Sequence, residues 1–203
     1  MCLHGIAPSL TGVLKSTNLD TRETDIDLWD TFINGDIDSL TELFRLHYSY
    51  LINYGVKITT DREMVEDCIQ ELFVEIWENK NATPTISVRS YLLTALKYKL
   101  LKLLKKQNRA STNNVIWEKM NFEISHDTFL VEKMQTEERI IKVLDALDHL
   151  SNKQKEMVYL KFFRNLSYEE ISGIMKINYQ VARNLLYHAV KALKGRLEGS
   201  YSY

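Results

Sequence analysis

The sequence predicts an all-α protein. Two small helical domains are joined by a linker, and the second is a helix-turn-helix. Three observations carry this. Apolar residues recur at the 3.6-residue period through long segments, and no run alternates as a strand would. Only two Pro and seven Gly interrupt 203 residues. The periodicity then fades between Ser111 and Glu132, which leaves a segment on each side long enough to bury a core. The expected organisation is a disordered leader over 1–24, a first domain over 25–110, a linker over 111–136 and a second domain over 137–203.

The first nineteen residues lack the basic start and apolar block of a signal peptide. Asp25–Asn34 reads as a short helix with Leu28, Trp29, Phe32 and Ile33 apolar, stopped by Gly35-Asp36. A second helix from about Ile37 to Lys57 offers Leu40, Leu43, Phe44, Tyr48, Leu51, Ile52 and Tyr54 to a core. His47 on it reads as structural rather than as a ligand. Thr60-Asp-Arg-Glu63 has the spacing of a capping box and starts the third helix.

That third helix, Arg62–Glu78, organises the chain. Val65, Cys68, Ile69, Leu72, Phe73 and Ile76 share one face. Glu63, Glu66, Asp67, Gln70, Glu71, Glu75 and Glu78 occupy the other. Glu63, Asp67, Glu71 and Glu75 are four apart and repel each other by a few tenths of a kcal/mol per pair. Val74 and Trp77 lie on or beside this acidic face, where water gives them no gain. An acidic stripe carrying bare apolar groups suits a basic partner surface.

Asn81–Thr85 is a loop around Pro84, and Ser87 can cap the next helix. Val88–Gln107 buries Leu92, Leu93, Leu96, Leu100, Leu103 and Leu104. Its opposite face carries Tyr91, Thr94, Lys97, Tyr98, Lys102 and Lys105, with Leu101 among them. Lysines attract phosphate whatever the sequence, and tyrosines between them can stack on unpaired bases. In the linker, Trp117 and Phe122 suggest a segment that docks rather than floats.

In the second domain Ile140, Val143, Leu144, Leu147 and Leu150 form one stripe. Ser151–Gln154 and Ser167–Glu170 are capping boxes. The second box opens a short helix to about Met175, a turn follows at Lys176-Ile177, and Asn178 caps the last helix. Short helix, tight turn and longer helix make a helix-turn-helix. Val181, Ala182, Leu185, Leu186, Ala189 and Leu193 face inward. Gln180, Arg183, Asn184, Tyr187, His188, Lys191 and Lys194 form a continuous outer face. Arg, Gln and Asn match base edges in the major groove, and Lys suits phosphate.

The net charge of −1 conceals a partition. Fifteen acids against five bases lie between Asp20 and Lys80, whereas seven bases and no acid lie between Ile86 and Arg109. Separate acidic and basic surfaces are expected, and with them a nucleic-acid partner. Cys2 and Cys68 form no disulfide framework, and Cys68 lies on a core face, which favours a reduced cytoplasmic setting. No apolar run approaches membrane-spanning length, so membrane insertion is not expected. No metal-ligand spacing, phosphate loop, Ser-His-Asp set or evident acid/base pair occurs, so neither enzyme activity, a metal nor another cofactor is expected.

Asp67-x-x-Gln70-Glu71-x-Phe73 followed by Trp77 resembles the polymerase-binding helix of bacterial RNA polymerase sigma factors of the small extracytoplasmic-function (ECF) type. Leu28-Trp-x-x-Phe-x-x-Gly-Asp36, Leu150-Ser-x-x-Gln154 and Leu166-Ser-Tyr-Glu-Glu-Ile171 are also similar to members of this family. The resemblance spans about Asp25–Arg109 and Glu137–Leu197. It implies a sigma factor that directs core polymerase to promoters and promotes melting. Asp67, Gln70, Glu71, Phe73, Val74 and Trp77 would dock on the clamp helices of the largest polymerase subunit. The loop Asn79–Thr85 and the helix Val88–Arg109 would hold the minus-ten element and a flipped base, with Arg89, Tyr91, Lys97, Tyr98, Lys102 and Lys105 facing DNA. The linker would thread toward the active cleft. The second domain would meet the polymerase flap and read the minus-thirty-five element through Asn178, Tyr179, Gln180, Arg183, Asn184, Tyr187, His188 and Lys191. An anti-sigma factor is a further implied partner.

Four departures stand out. The family often has Arg-Asn at Lys97-Tyr98 and glycine at Lys176, and its typical members carry Thr and Arg at Val181 and Leu185. The alternative is a helix-turn-helix regulator that never joins polymerase. It leaves the acidic Val/Trp face and the basic Tyr/Lys helix without a role.

Overall fold

The computed structural model describes residues 18–79, 87–107, 122–125 and 137–199. Its first unit has four helices: α1 (Asn18–Ile33), α2 (Ile37–Gly55), α3 (Arg62–Glu78) and α4 (Val88–Gln107). The second has α5 (Glu137–Asp148), α6 (Asn152–Val158) running into a π-helical turn at Tyr159–Phe163, α7 (Tyr168–Met175) and α8 (Tyr179–Gly199). Among the described residues there is no strand. The expected linker start at Ser111 and its Trp117 lie outside the described residues, as do residues 1–17 and the stretch Asn81–Thr85 expected as a loop.

Local chemistry sets most boundaries. Gly35, at φ +108°, makes the turn between α1 and α2. Asp36 then caps α2 by accepting from the N–H groups of Asp38 and Ser39. Ser151 with Gln154 and Ser167 with Glu170 form complete capping boxes at α6 and α7. Asn178 Oδ1 accepts from the Val181 N–H at 2.8 Å and starts α8.

Two boundaries differ from expectation. α1 begins at Asn18, not Asp25, so residues 18–24 belong to a helix rather than to the leader. A formed helix extends through polar residues at little cost per residue, which leaves no apolar period to read. The cap of α3 is Asp61, which accepts from the Met64 N–H, and not Thr60. The carboxylate one residue later is the stronger N-cap and also favours the helix dipole.

One hydrophobic cluster runs through both units, and in the first it gathers Trp29, Phe32, Leu43, Leu51, Ile69, Leu92, Leu93 and Leu96. α2 and α3 pack tightly at Gly55, where a Cβ would fall 2.3 Å from Val65 Cγ1. His47 is buried and sits 3.1 Å from Asp25 Oδ1, a structural role. The same cluster continues into the second unit through Leu147, Met157, Leu160, Leu166, Ile171, Ile174, Ala182 and Ala189. The two units pack against each other, with α7 lying on α4.

Candidate nucleic-acid and partner interfaces

The acidic face of α3 is open. Asp67, Gln70, Glu71 and Glu75 are exposed, and Val74 is 56% exposed in their midst. Trp77 is half-buried, with its ring tilted over Phe32 at 6.3 Å. Phe73 does not belong to this surface. It is 7% exposed and packs edge-on against Phe44, because it continues the apolar stripe of Cys68, Ile69 and Leu72. Sequence reading missed a cation here. Lys99 Nζ lies 2.7 Å from Glu75 Oε1 and 3.2 Å from Glu71 Oε2, tying α4 to the acidic column. Both carboxylates are largely exposed, so each pair is worth no more than about 1 kcal/mol.

Between the C-terminal end of α3 and α4 lies an open cavity of about 370 Å³, lined by Leu72, Glu75, Ile76, Asn79, Tyr91 and others. Tyr91 is half-buried, edge-on to Trp29 at 5.3 Å.

The basic face of α4 is divided. Lys102 and Lys105 are exposed, and Arg89 stands over the Tyr50 ring at 5.3 Å. Lys97, expected on the open face, is instead fully buried (0% exposed). Its Nζ meets Glu156 Oε1 of α6 at 2.5 Å, and the Tyr54 hydroxyl donates to the same oxygen at 2.6 Å. Burial pulls the Lys97 ammonium below the usual lysine range, against the pull of Glu156. Tyr98 is half-buried, with Lys176 Nζ 3.9 Å from its ring centroid. Leu101 is buried as well. The reason is register: Lys97 is four residues from both Leu93 and Leu101, so a surface packed on those leucines also covers Lys97.

More joins surround this one. Ser87 Oγ donates to Glu170 Oε1 at 2.8 Å, while Glu170 Oε2 accepts from the Ser167 N–H at 2.8 Å. The Tyr159 hydroxyl donates to the Asn53 carbonyl at 3.2 Å, and Arg164 lies over the Tyr50 ring at 5.0 Å. From the linker, Phe122 is completely buried between Tyr54 and Tyr159. Glu156 was not singled out from sequence, and Glu170 was expected only as the capping-box partner of Ser167. A signal existed for Glu156, since it is four residues from Leu160 and seven from Phe163, on a core stripe.

The outer face of α8 is open throughout. Gln180, Arg183, Asn184, His188 and Lys191 are exposed, and Tyr187 is 60% exposed. Gln180 Nε2 donates to Asn184 Oδ1 at 3.0 Å, and Tyr187 and His188 stand edge to face. Tyr179 is exposed against Tyr168, whereas the Asn178 side chain serves as the cap. Lys176 takes the left-handed conformation, φ 50° and ψ 50°, at the turn where glycine would be unstrained.

Two family models match. Sigma-70 region 2 covers residues 43–110, and Sigma-70, region 4 covers residues 140–193. The ECF RNA polymerase sigma factor SigK of Mycobacterium ulcerans (strain Agy99) is 21% identical over 165 residues, spanning 78% of this chain and 88% of SigK. SigK of Mycobacterium tuberculosis (strain ATCC 25177 / H37Ra) is 21% identical over 151 residues, 72% of this chain and 80% of its own length. Among solved structures, CnrH in complex with the cytosolic domain of CnrY superposes with a TM-score of 0.57 at 15% identity, covering 87% of this chain and 98% of CnrH. RpoE from Bartonella quintana, solved with the anti-sigma factor NepR, gives 0.54 at 16% identity over 78% of this chain and 96% of RpoE. With both regions matched in order on the two helical units just described, the chain belongs to the sigma-70 family and is an RNA polymerase sigma factor of the extracytoplasmic-function type.

Proposed function

We propose that the three open surfaces divide the work of a sigma factor among them. Asp67, Gln70, Glu71, Val74 and the edge of Trp77 dock α3 on the clamp helices of core polymerase. Phe73 supports that face from inside the core. α4 meets the minus-ten element through Arg89, Tyr91, Lys102 and Lys105, and through Lys97 and Tyr98 once they are uncovered. The cavity beside Asn79 accommodates a base flipped from the non-template strand. Flipping a base costs a few kcal/mol, so a site that binds the flipped base and the open strand favours melted over closed DNA. α8 reads the minus-thirty-five element through Gln180, Arg183, Asn184, Tyr187, His188 and Lys191. Asn178 and Tyr179 set its start, and the same domain meets the flap.

The polymerase supplies the chemistry, and the site of action is the cytoplasm. Among the described residues no helix is long and apolar enough to cross a membrane. An anti-sigma factor is proposed as a further partner, since CnrH and RpoE were each solved with a second protein, in the case of RpoE an anti-sigma factor.

The observation that carries the reading is the acidic face of α3 with Val74 bare at its centre. A helix-turn-helix regulator acting alone has no use for it. The test combines the purified chain with bacterial core polymerase and promoter fragments from its own genome. Specific transcripts are expected with wild type and not with core alone. Gln70→Ala with Val74→Asp should abolish both co-migration with core and transcripts, while helical content and DNA binding by α8 persist. Transcripts undiminished in this double variant would refute the docking face.

A further inference from the structure

We propose that Tyr168, on the first helix of the helix-turn-helix, is a positioning residue for the base reader Arg183. It holds the Tyr179 ring beside which the guanidinium lies, so sequence preference depends on a side chain that reads no base itself. The proposal rests on the reading of α8 as the helix that enters the groove.

Four side chains line up from the interior to the reading face. Lys161, half-buried in the π-helical turn, donates from Nζ to the Leu166 carbonyl at 3.0 Å, and the same Nζ lies 4.8 Å from the Tyr168 ring centroid. Tyr168 opens α7 and Tyr179 opens α8. Their centroids are 5.6 Å apart with the planes at 63°, the edge-to-face arrangement that aromatic quadrupoles favour. The Arg183 guanidinium then lies 6.0 Å from the Tyr179 ring. Burial raises the Tyr168 phenol above its ordinary range and Arg183 pulls it back, so the charge is felt at the Tyr168 hydroxyl too.

The outer two rungs need this support. Tyr179 is 44% exposed and Arg183 is exposed. A lone cation–π contact at such a site is weak, and a ring free to turn would place nothing. Tyr168, half-buried against Lys161, closes the inner side of Tyr179 and removes that freedom. A guanidinium reads guanine through two bonds, to O6 and N7, which requires its plane to be fixed. Fixing it beforehand lowers the entropy cost of that contact and of no other. Loosening Arg183 therefore weakens binding to the sequence it reads and spares sequences where it meets no base. Gln180 and Asn184 are tied to each other at 3.0 Å, so the preferences they confer serve as an internal control.

The experiment uses the full chain. Wild type selects a sequence from a pool of random duplexes, and Arg183→Ala marks the base pair at which preference is lost. Tyr168→Leu, with helical content unchanged, should lower preference at that base pair about two- to tenfold, the entropy of one long side chain. Preference at other positions and binding to scrambled duplex should stay as in wild type. Added to Arg183→Ala, Tyr168→Leu should change nothing further. Tyr168→Phe should behave as wild type. Without DNA, nitrogen-15 relaxation at Arg183 Nε should show order lost in Tyr168→Leu and kept in Tyr168→Phe. Tyr168→Leu weakening all duplexes alike would overturn the proposal, since the ring would then only support the fold. So would Tyr168→Phe weakening all sequences and lowering the salt slope by about one, the mark of a hydroxyl anchored on phosphate. If Tyr168→Leu does not fold, Tyr179→Leu takes its place in the relaxation measurement, where Arg183 must again lose order. Wild type selecting no sequence would overturn the reading of α8, and the effect on preference with it, whereas the relaxation at Arg183 would still report the hold of the rings.

Discussion

At Gly55 the absent side chain is what lets α2 and α3 meet, since a Cβ would sit 2.3 Å from Val65 Cγ1. Gly55→Ala should therefore destabilise the protein by about 1–3 kcal/mol, as overpacking does. Denaturant unfolding measures this, and Gly55→Ala/Val65→Ala should lose less than the sum of its single variants. Tyr54 carries a second expectation. Burial, and then the neighbouring Glu156 carboxylate, hold its phenol well above the usual 10.0. Below that pH the phenol is protonated both folded and unfolded. Above it the unfolded chain releases a proton that the folded chain keeps, so stability falls as pH rises. In Tyr54→Phe the alkaline decline should be shallower than in wild type, by up to about 1.4 kcal/mol per pH unit. Denaturation midpoints at about pH 9 to 11 give the slopes. The sequence marks Tyr54 as a core residue, which it is, but not its bond to Glu156. Tyr54 reads as one more core aromatic, and the fate of Lys97 depends on Glu156, 59 positions along the chain. Periodicity describes a helix and its own core, not the second surface that covers its far side. Lys176 shows the converse. Its identity exposes a strained turn, costing roughly 1–2 kcal/mol, and the Tyr98 ring beneath it returns part of that.

Elements were far more legible than contacts, because caps and periods are local. The boxes at Ser151 and Ser167 and the cap at Asn178 form where spacing placed them. The miss at α1 arose where no apolar period marks the start, and the miss at α3 where two cap residues stand side by side. α8 illustrates what an element supports functionally. Of the residues expected to face inward, Ala182, Leu186 and Ala189 are buried while Val181 is 44% exposed, and the buried three fix the direction of the outer row. Arg183 is held within 6.0 Å of the Tyr179 ring, near the start of the helix that enters the groove in such units. Arg183→Ala should weaken binding to the cognate minus-thirty-five sequence by about 1–3 kcal/mol and relax preference at one base pair. Lys191→Ala should weaken all sequences alike and lower the salt slope by about one. Titrations against matched and scrambled duplexes at several salt concentrations separate the two. If both variants behaved alike, the division between base reader and phosphate anchor would be wrong.

For the whole molecule, the decisive residue belongs to neither domain. Phe122 lies in the described segment 122–125 between the two helical units, is completely buried, and lies 6.2 Å from the Tyr54 ring and 5.6 Å from the Tyr159 ring. Its N–H donates to Asn152 Oδ1 at 3.3 Å, and the next N–H, of Glu123, donates to the Lys57 carbonyl at 3.1 Å. One short segment is thus stitched to α6 on one side and to the end of α2 on the other. Loss of the ring should cost about 3–5 kcal/mol by the cavity argument. Where that loss appears matters more than its size. Phe122 belongs to the one hydrophobic cluster that runs through both units and fills the space where they meet, so Phe122→Ala removes the wedge that couples them. Wild type should melt in a single calorimetric transition, with equal calorimetric and van't Hoff enthalpies. Phe122→Ala should melt in two, as each helical unit unfolds on its own. A single transition merely shifted to lower temperature would mean that one unit cannot stand without the other, and that the linker aromatic stabilises a joint core rather than a joint between two.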